Sequence, residues 1–153
     1  MSFYSFDTSA ILNGRRDLLP PAVFPSLWAN IEELVGSTVI AIDQVDVELS
    51  KREDEIWEWA KAQSGLFVPL EEDVQQATMA VLDRCPKLVG VGGQRNAADP
   101  FVIGLAHTRG GVVVTEEHRT GKPNKPRMPD ACELLDVRCI NLVQFVTEQG
   151  WTF

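Results

Sequence analysis

Ala98-Asp99-Pro100-Phe101-Val102-Ile103-Gly104-Leu105-Ala106-His107-Thr108-Arg109-Gly110-Gly111-Val112-Val113-Val114-Thr115-Glu116-Glu117 is the stretch whose reading decides the fold. Proline suits a first helical position, which places Asp99 at or near a helix cap. The spacing predicts a helix over Phe101 to about Thr108, with Gly110-Gly111 as its stop. Val112 to Thr115 then reads as a fully apolar strand, the pattern of a strand buried inside a parallel sheet. One acid opens this helix and another, Glu117, ends the strand.

The same alternation continues outward. Residues 2–6 read as a short strand closed by Asp7. Pro25 to Val35 has helical spacing, with Leu27, Trp28, Ile31 and Leu34 on one side and Gly36 as a stop. Thr38 to Ile42 is a β-branched strand. Asp43 is expected to cap a long helix running to about Gln63, with Asp46 in a capping-box-like place and Glu48 early in its course. Glu71 to about Cys85 is a further helix, ended by Pro86, and Val89 to Gly93 is a loop or linker. Beyond Glu117, Asp130 is expected to start a short helix. Arg138 to Leu142 reads as a strand and Leu142 to Gln149 as a last helix. Strands alternating with helices predict an α/β fold with a mostly parallel sheet.

Acids at the carboxyl ends of parallel strands point into one crevice, where open α/β sheets bind ligands. Asp7, Glu48, Asp99 and Glu117 occupy such places. Each has a plain structural explanation when taken singly: Asp7 and Asp99 as caps, Glu48 as a solvent-facing helix residue, and Glu116 and Glu117 as loop charges. Taken together they describe an acidic crevice. Several carboxylates in one crevice repel unless a divalent cation holds them, and hard Mg²⁺ or Mn²⁺ takes such oxygen ligands. That combination points to metal-dependent phosphodiester chemistry.

At 153 residues the chain is most simply one domain, with 44% hydrophobic and 24% charged residues. Its apolar runs fall far short of the roughly 20 residues that span a bilayer, and no signal peptide is read, so a cytoplasmic protein without a membrane partner is expected. Cys85, Cys132 and Cys139 lack metal-ligand spacing and read as buried thiols. The net charge of −8 argues against nucleic-acid binding over the whole surface. Cations are nevertheless concentrated locally. His118, Arg119, Lys122, Lys125 and Arg127 share one loop beside Glu117, and Arg15 and Arg16 follow Asp7. The loop is either a solvated surface segment or a phosphate-contacting rim around the acidic centre.

Four segments in order resemble the PIN-domain ribonucleases, including the VapC-like toxins of toxin–antitoxin pairs. They are Phe6-Asp7-Thr8-Ser9, Val45 to Leu49, Ala98 to Ala106, and the apolar strand ending in Thr115-x-acid. The ending from Met128-Pro129-Asp130 through Gly150-Trp151 looks like an uncharacterised branch of that superfamily. The resemblance implies a three-layer PIN-like fold and a Mg²⁺- or Mn²⁺-dependent endoribonuclease, a hydrolase of RNA phosphodiester bonds. It implies Asp7 and Asp99 as central metal ligands, Glu48 as a ligand or water-positioning group, and Glu117 or Asp130 completing the metal site. Glu117 departs from the usual aspartate by one methylene. Thr8, Ser9 and Thr115 are expected to hydrogen-bond a ligand carboxylate or a phosphate oxygen. Arg15, Arg16, Arg119 and Lys122 are expected to hold the RNA backbone. The implied partners are an RNA substrate and a small antitoxin, and Trp28, Trp57 and Trp59 offer a homodimer or antitoxin surface unless they are core.

Two other classes compete. A PIN-like module with a degraded site would bind RNA or protein without cleaving. A phosphoacceptor domain would need paired acids beside the first strand and a lysine on a late strand, and neither is present. Gly90-x-Gly92-Gly93 lacks the context of a phosphate-binding loop, and His107 is read as a helix-end residue.

Overall fold

A computed structural model describes residues 2–90 and 97–153; of the expected linker from Val89 to Gly93, Val89 ends a 3₁₀ turn capped by Gly90, and the part from Val91 on lies outside the described residues. The chain order is β1 (Tyr4–Phe6), α1 (Thr8–Asn13), a π-helical turn (Gly14–Leu18), α2 (Pro25–Leu34), β2 (Val39–Ile42), α3 (Asp43–Ser50), α4 (Glu55–Ala62) and β3 (Phe67–Val68). It continues with α5 (Glu72–Arg84), a 3₁₀ turn (Pro86–Val89), α6 (Asp99–Arg109), β4 (Val112–Val114), α7 (Met128–Leu134), β5 (Arg138–Ile140) and α8 (Leu142–Gln149). The five strands form one parallel sheet in the order β3-β2-β1-β4-β5. Helices flank it in a three-layer α/β arrangement.

Burial follows strand position. Every residue of β1, β2 and β4 is buried, because each of these inner strands is covered on both faces. The edge strands β3 and β5 are short and only partly buried. Successive strands run outward from β1 through β2 to β3, then the chain returns to β4 on the other side of β1. The order therefore reverses between β1 and β4, the place where open α/β sheets form a crevice at their carboxyl ends. Asp7 follows β1 there, Thr115 follows β4, and α6 begins there with Asp99.

Three local expectations are corrected. The long helix from Asp43 is two helices, α3 and α4, parted at Lys51–Asp54. The break is stabilised by Asp54, whose carboxylate accepts the N–H groups of Ile56 (3.2 Å) and Trp57 (3.1 Å) as the cap of α4. The fold also sets Glu53 at φ 47°. Asp43 is the first residue of α3 rather than its cap; extended Ile42 holds the cap position without a side-chain bond. Finally, α7 starts at Met128 with Pro129 in its first turn, so Asp130 is its third residue. The two-residue β3 and the 3₁₀ turn were too short to be read from pattern.

Trp28 is 2% exposed, and Trp57 and Trp59 pack partly buried against the core. Trp28 is therefore a core residue, Trp57 and Trp59 stand at the edge of the core, and the Trp28 and Trp59 rings meet edge to face at 5.3 Å. The three cysteines are free thiols, two buried and Cys139 half-buried. Among the described residues no helix is long and apolar enough to cross a membrane.

Candidate functional site

Asp7 is 2% exposed and Asp99 is 3% exposed, both at the crevice between β1 and β4. One carboxylate oxygen from each of Asp7, Asp99 and Glu117 lies within 4.8 Å of the others. Asp7 is far in sequence from Asp99 and Glu117, which flank the α6–β4 unit, and the pairing of β1 with β4 brings it to them. Their carboxyl groups lie close enough to hold a metal ion.

Asp7 serves two purposes. Its Oδ1 accepts the Thr8 N–H at 2.8 Å, capping α1, while its Oδ2 accepts the hydroxyls of Ser9 and Thr115, each at 2.8 Å. Burial pushes the Asp7 carboxyl up to about 7. The Glu117 charge adds to that, the Thr115 and Ser9 hydrogen bonds oppose it, and Glu48 adds a smaller push. Asp99 is raised well above the ordinary carboxyl range, first by burial and then by Asp7 and Glu117. Among the described residues its Oδ2 is buried without a hydrogen-bond partner. Buried polar oxygens are rarely left so.

Adjacent residues after β4 do different work. Glu116 turns away and its Oε1 accepts the N–H of Leu142 at 2.8 Å, satisfying the start of α8. Glu117 turns into the acid cluster. Its Oε1 also accepts from Arg127 Nε at 3.1 Å and more weakly from the Met128 N–H at 3.4 Å. Thr115 Oγ1 accepts the Glu117 N–H at 3.1 Å, and Ser9 Oγ accepts the Glu116 N–H at 3.0 Å. The Ser9–Thr115 hydroxyl pair thus fixes both Asp7 and the backbone that aims Glu117.

The remaining expected residues divide. Glu48 stands outside the tight cluster, its Oε1 accepting the Thr8 hydroxyl at 2.5 Å, yet close enough to raise both buried aspartates. Asp130 is not brought to the cluster. Its carboxylate accepts the N–H groups of Thr120, Gly121 and Arg127, which hold its carboxyl below the ordinary range although burial alone would raise it. It ties the 119–127 loop to α7. Arg15 lies over the Trp59 ring at 4.1 Å and the Trp28 ring at 4.7 Å, and burial lowers its guanidinium to about 10. Arg119 and Lys122 are exposed on the loop, with Arg119 paired to Glu133 at 2.9 Å. A cleft of about 320 Å³ opens beside Glu117, lined by Ser9, His118, Arg119 and Arg127 among others.

Sequence reading missed the separate roles of Glu116 and Arg127. In sequence Arg127 reads only as a loop cation, and its spacing of three residues before Asp130 is the signal for the helix start that it caps.

The crystal structure of FitAcB from Neisseria gonorrhoeae is similar, with TM-score 0.51 and 16% identity over 91% of this chain and 97% of that one. At this identity the likeness concerns fold alone, and it agrees with the PIN-like architecture. No curated protein matches the chain. The family described as a domain of unknown function, DUF4411, matches residues 4–153, and the chain belongs to that family.

Proposed function

We infer that the protein is a divalent-metal-dependent endoribonuclease and the toxin of a toxin–antitoxin pair. One observation carries the reading: the Asp7 carboxylate meets those of Asp99 and Glu117, from a remote part of the chain, within 4.8 Å at the sheet's switch point. Such charges are tolerated only when protons or a cation neutralise them. The donor set contains carboxylate oxygens and no sulfur or imidazole, which suits Mg²⁺ or Mn²⁺. The unpartnered Asp99 Oδ2 is a ready ligand atom. Asp7, Asp99 and Glu117 would hold the ion. A bound divalent cation supplies charge neutralisation for the phosphodiester and acidifies the attacking water.

The chain's own groups do the rest. Ser9 and Thr115 hold Asp7 Oδ2 in one orientation. Thr8 holds Glu48 at the edge of the cluster, where it would orient the attacking water. Glu117 is favoured over Asp130 as the third ligand, because the Asp130 oxygens already serve backbone N–H groups. Arg119 and Lys122 would grip the RNA backbone. Arg15, half-buried over its tryptophans, contributes less. An antitoxin partner follows from the PIN-domain resemblance, and a cytoplasmic setting fits three free thiols.

Purified protein should cleave RNA with Mn²⁺ or Mg²⁺ and stop with chelator. Asp7→Asn and Asp99→Asn should each lose more than the roughly 100-fold that removing a supporting contact costs. Undiminished cleavage by a pure Asp7→Asn preparation removes the assignment. A second reading, an inert RNA- or protein-binding module, is favoured by the engagement of Glu117 with Arg127. Absence of any stabilisation by divalent ions would select it.

A further inference from the structure

We propose that the cleft between the end of α5 and the 119–126 loop is a nucleotide subsite, seating RNA that flanks the scissile phosphate. This rests on the nuclease reading above. The cleft has a volume of about 420 Å³, within the range of small-molecule sites. Its apolar surface comes from Pro86, Pro123 and Leu134, and Leu134 is 47% exposed. Its rim carries Arg84, Lys87, Arg119 and Lys122.

The acids in its lining are already engaged. Asp130 accepts three backbone N–H groups, and Glu133 pairs with Arg119 at 2.9 Å. Arg84 donates to the Leu134 carbonyl at 3.0 Å, bridging α5 and α7. Lys87 and Lys122 are exposed and form no ion pair among the described residues. The rim is therefore locally positive on a chain of net charge −8. Unpaired lysines beside a proline and leucine floor suit phosphates with a base laid against apolar surface.

Continuity with the acids favours RNA over an acidic peptide. Arg119 lines both this cleft and the smaller one that contains Glu117 and Ser9. A strand with its scissile phosphate at the acid cluster is thereby led past Arg119 into the larger cleft.

The test measures anisotropy of a labelled single-stranded RNA of about 12 nucleotides, near the upper range of single-strand site sizes. The full chain carries Asp99→Asn so that the RNA stays intact. Adding Lys87→Glu with Lys122→Glu should weaken binding about tenfold or more and flatten the salt dependence by roughly 1.4, two phosphate contacts at about 0.7 each. Leu134→Asn, at an exposed position, should weaken binding while leaving that salt dependence in place. Unchanged affinity and salt dependence overturn the proposal. So does loss of an acidic peptide, such as oligoglutamate, from the double variant while RNA binding persists. Metal-dependent cleavage by the unmodified protein is followed in parallel. Cleavage present with RNA affinity unchanged in the variants removes the subsite and keeps the nuclease reading. Cleavage absent with RNA affinity lost in the variants removes the nuclease reading and with it the flanking role, leaving the cleft as an RNA-binding site alone.

Discussion

At the scale of single residues, Asp7 ties stability to pH. Burial and the Glu117 charge hold its folded carboxyl at about 7, whereas an unfolded aspartate titrates near ~3.9. Between those values the folded protein keeps a proton that the unfolded chain has released. Ion-free stability is therefore highest below about pH 4 as far as this group is concerned, and it falls as pH rises to about 7. Thermal unfolding in chelator should show a lower midpoint at about pH 8 than at about pH 5, and Asp7→Asn should flatten that difference. Thr115→Val removes the hydroxyl that donates to Asp7 and receives the Glu117 N–H. It should destabilise the fold by about 1–3 kcal/mol, read by denaturant titration, and raise the Asp7 carboxyl further. Neighbouring glutamates should separate cleanly. Glu116→Ala removes the acceptor of the Leu142 N–H and weakens the α8 start by about 1 kcal/mol while leaving ion binding in place, whereas Glu117→Gln weakens ion binding, both measurable by calorimetry.

At the scale of elements, α6 positions Asp99 and is held by close approach to α5. A Cβ on Gly104 would lie 2.6 Å from Thr78 Oγ1 and 3.2 Å from the Val74 carbonyl oxygen. Gly104→Ala should force the two helices apart, lowering stability by about 1–3 kcal/mol and reducing divalent-ion affinity through Asp99; unfolding and ion titration of the variant check both. Long elements were legible in the sequence because their apolar spacing, prolines and glycines agree. The segment from Asp99 to Val114 is the clearest case, with Pro100 at its start and Gly110 as a left-handed stop at φ 62°. The break between α3 and α4 was not legible, since Lys51-Arg52-Glu53 are tolerable helix residues and the competing Asp54 cap is a local hydrogen-bond choice. Likewise the use of Asp130 depended on where the 119–127 loop closes, which spacing does not encode.

At the scale of the whole molecule, strand order makes the site. The reversal between β1 and β4 brings Asp7, Asp99 and Glu117 together across more than a hundred residues of chain. Sequence order suggested the crevice, because strand-end acids share one edge in any parallel sheet. Which acids meet was decided by loops: Glu117 enters while Glu116 and Asp130 are drawn into caps. The most direct test is calorimetric titration of Mn²⁺ into metal-free protein at about pH 6.5, below the raised Asp7 carboxyl, with Asp7→Asn and Asp99→Asn alongside. The account predicts saturable binding accompanied by proton release, weakened severely in both variants. Heat without proton release that is equal in all three proteins, or no binding at all by folded protein, would contradict a cation site built from these acids.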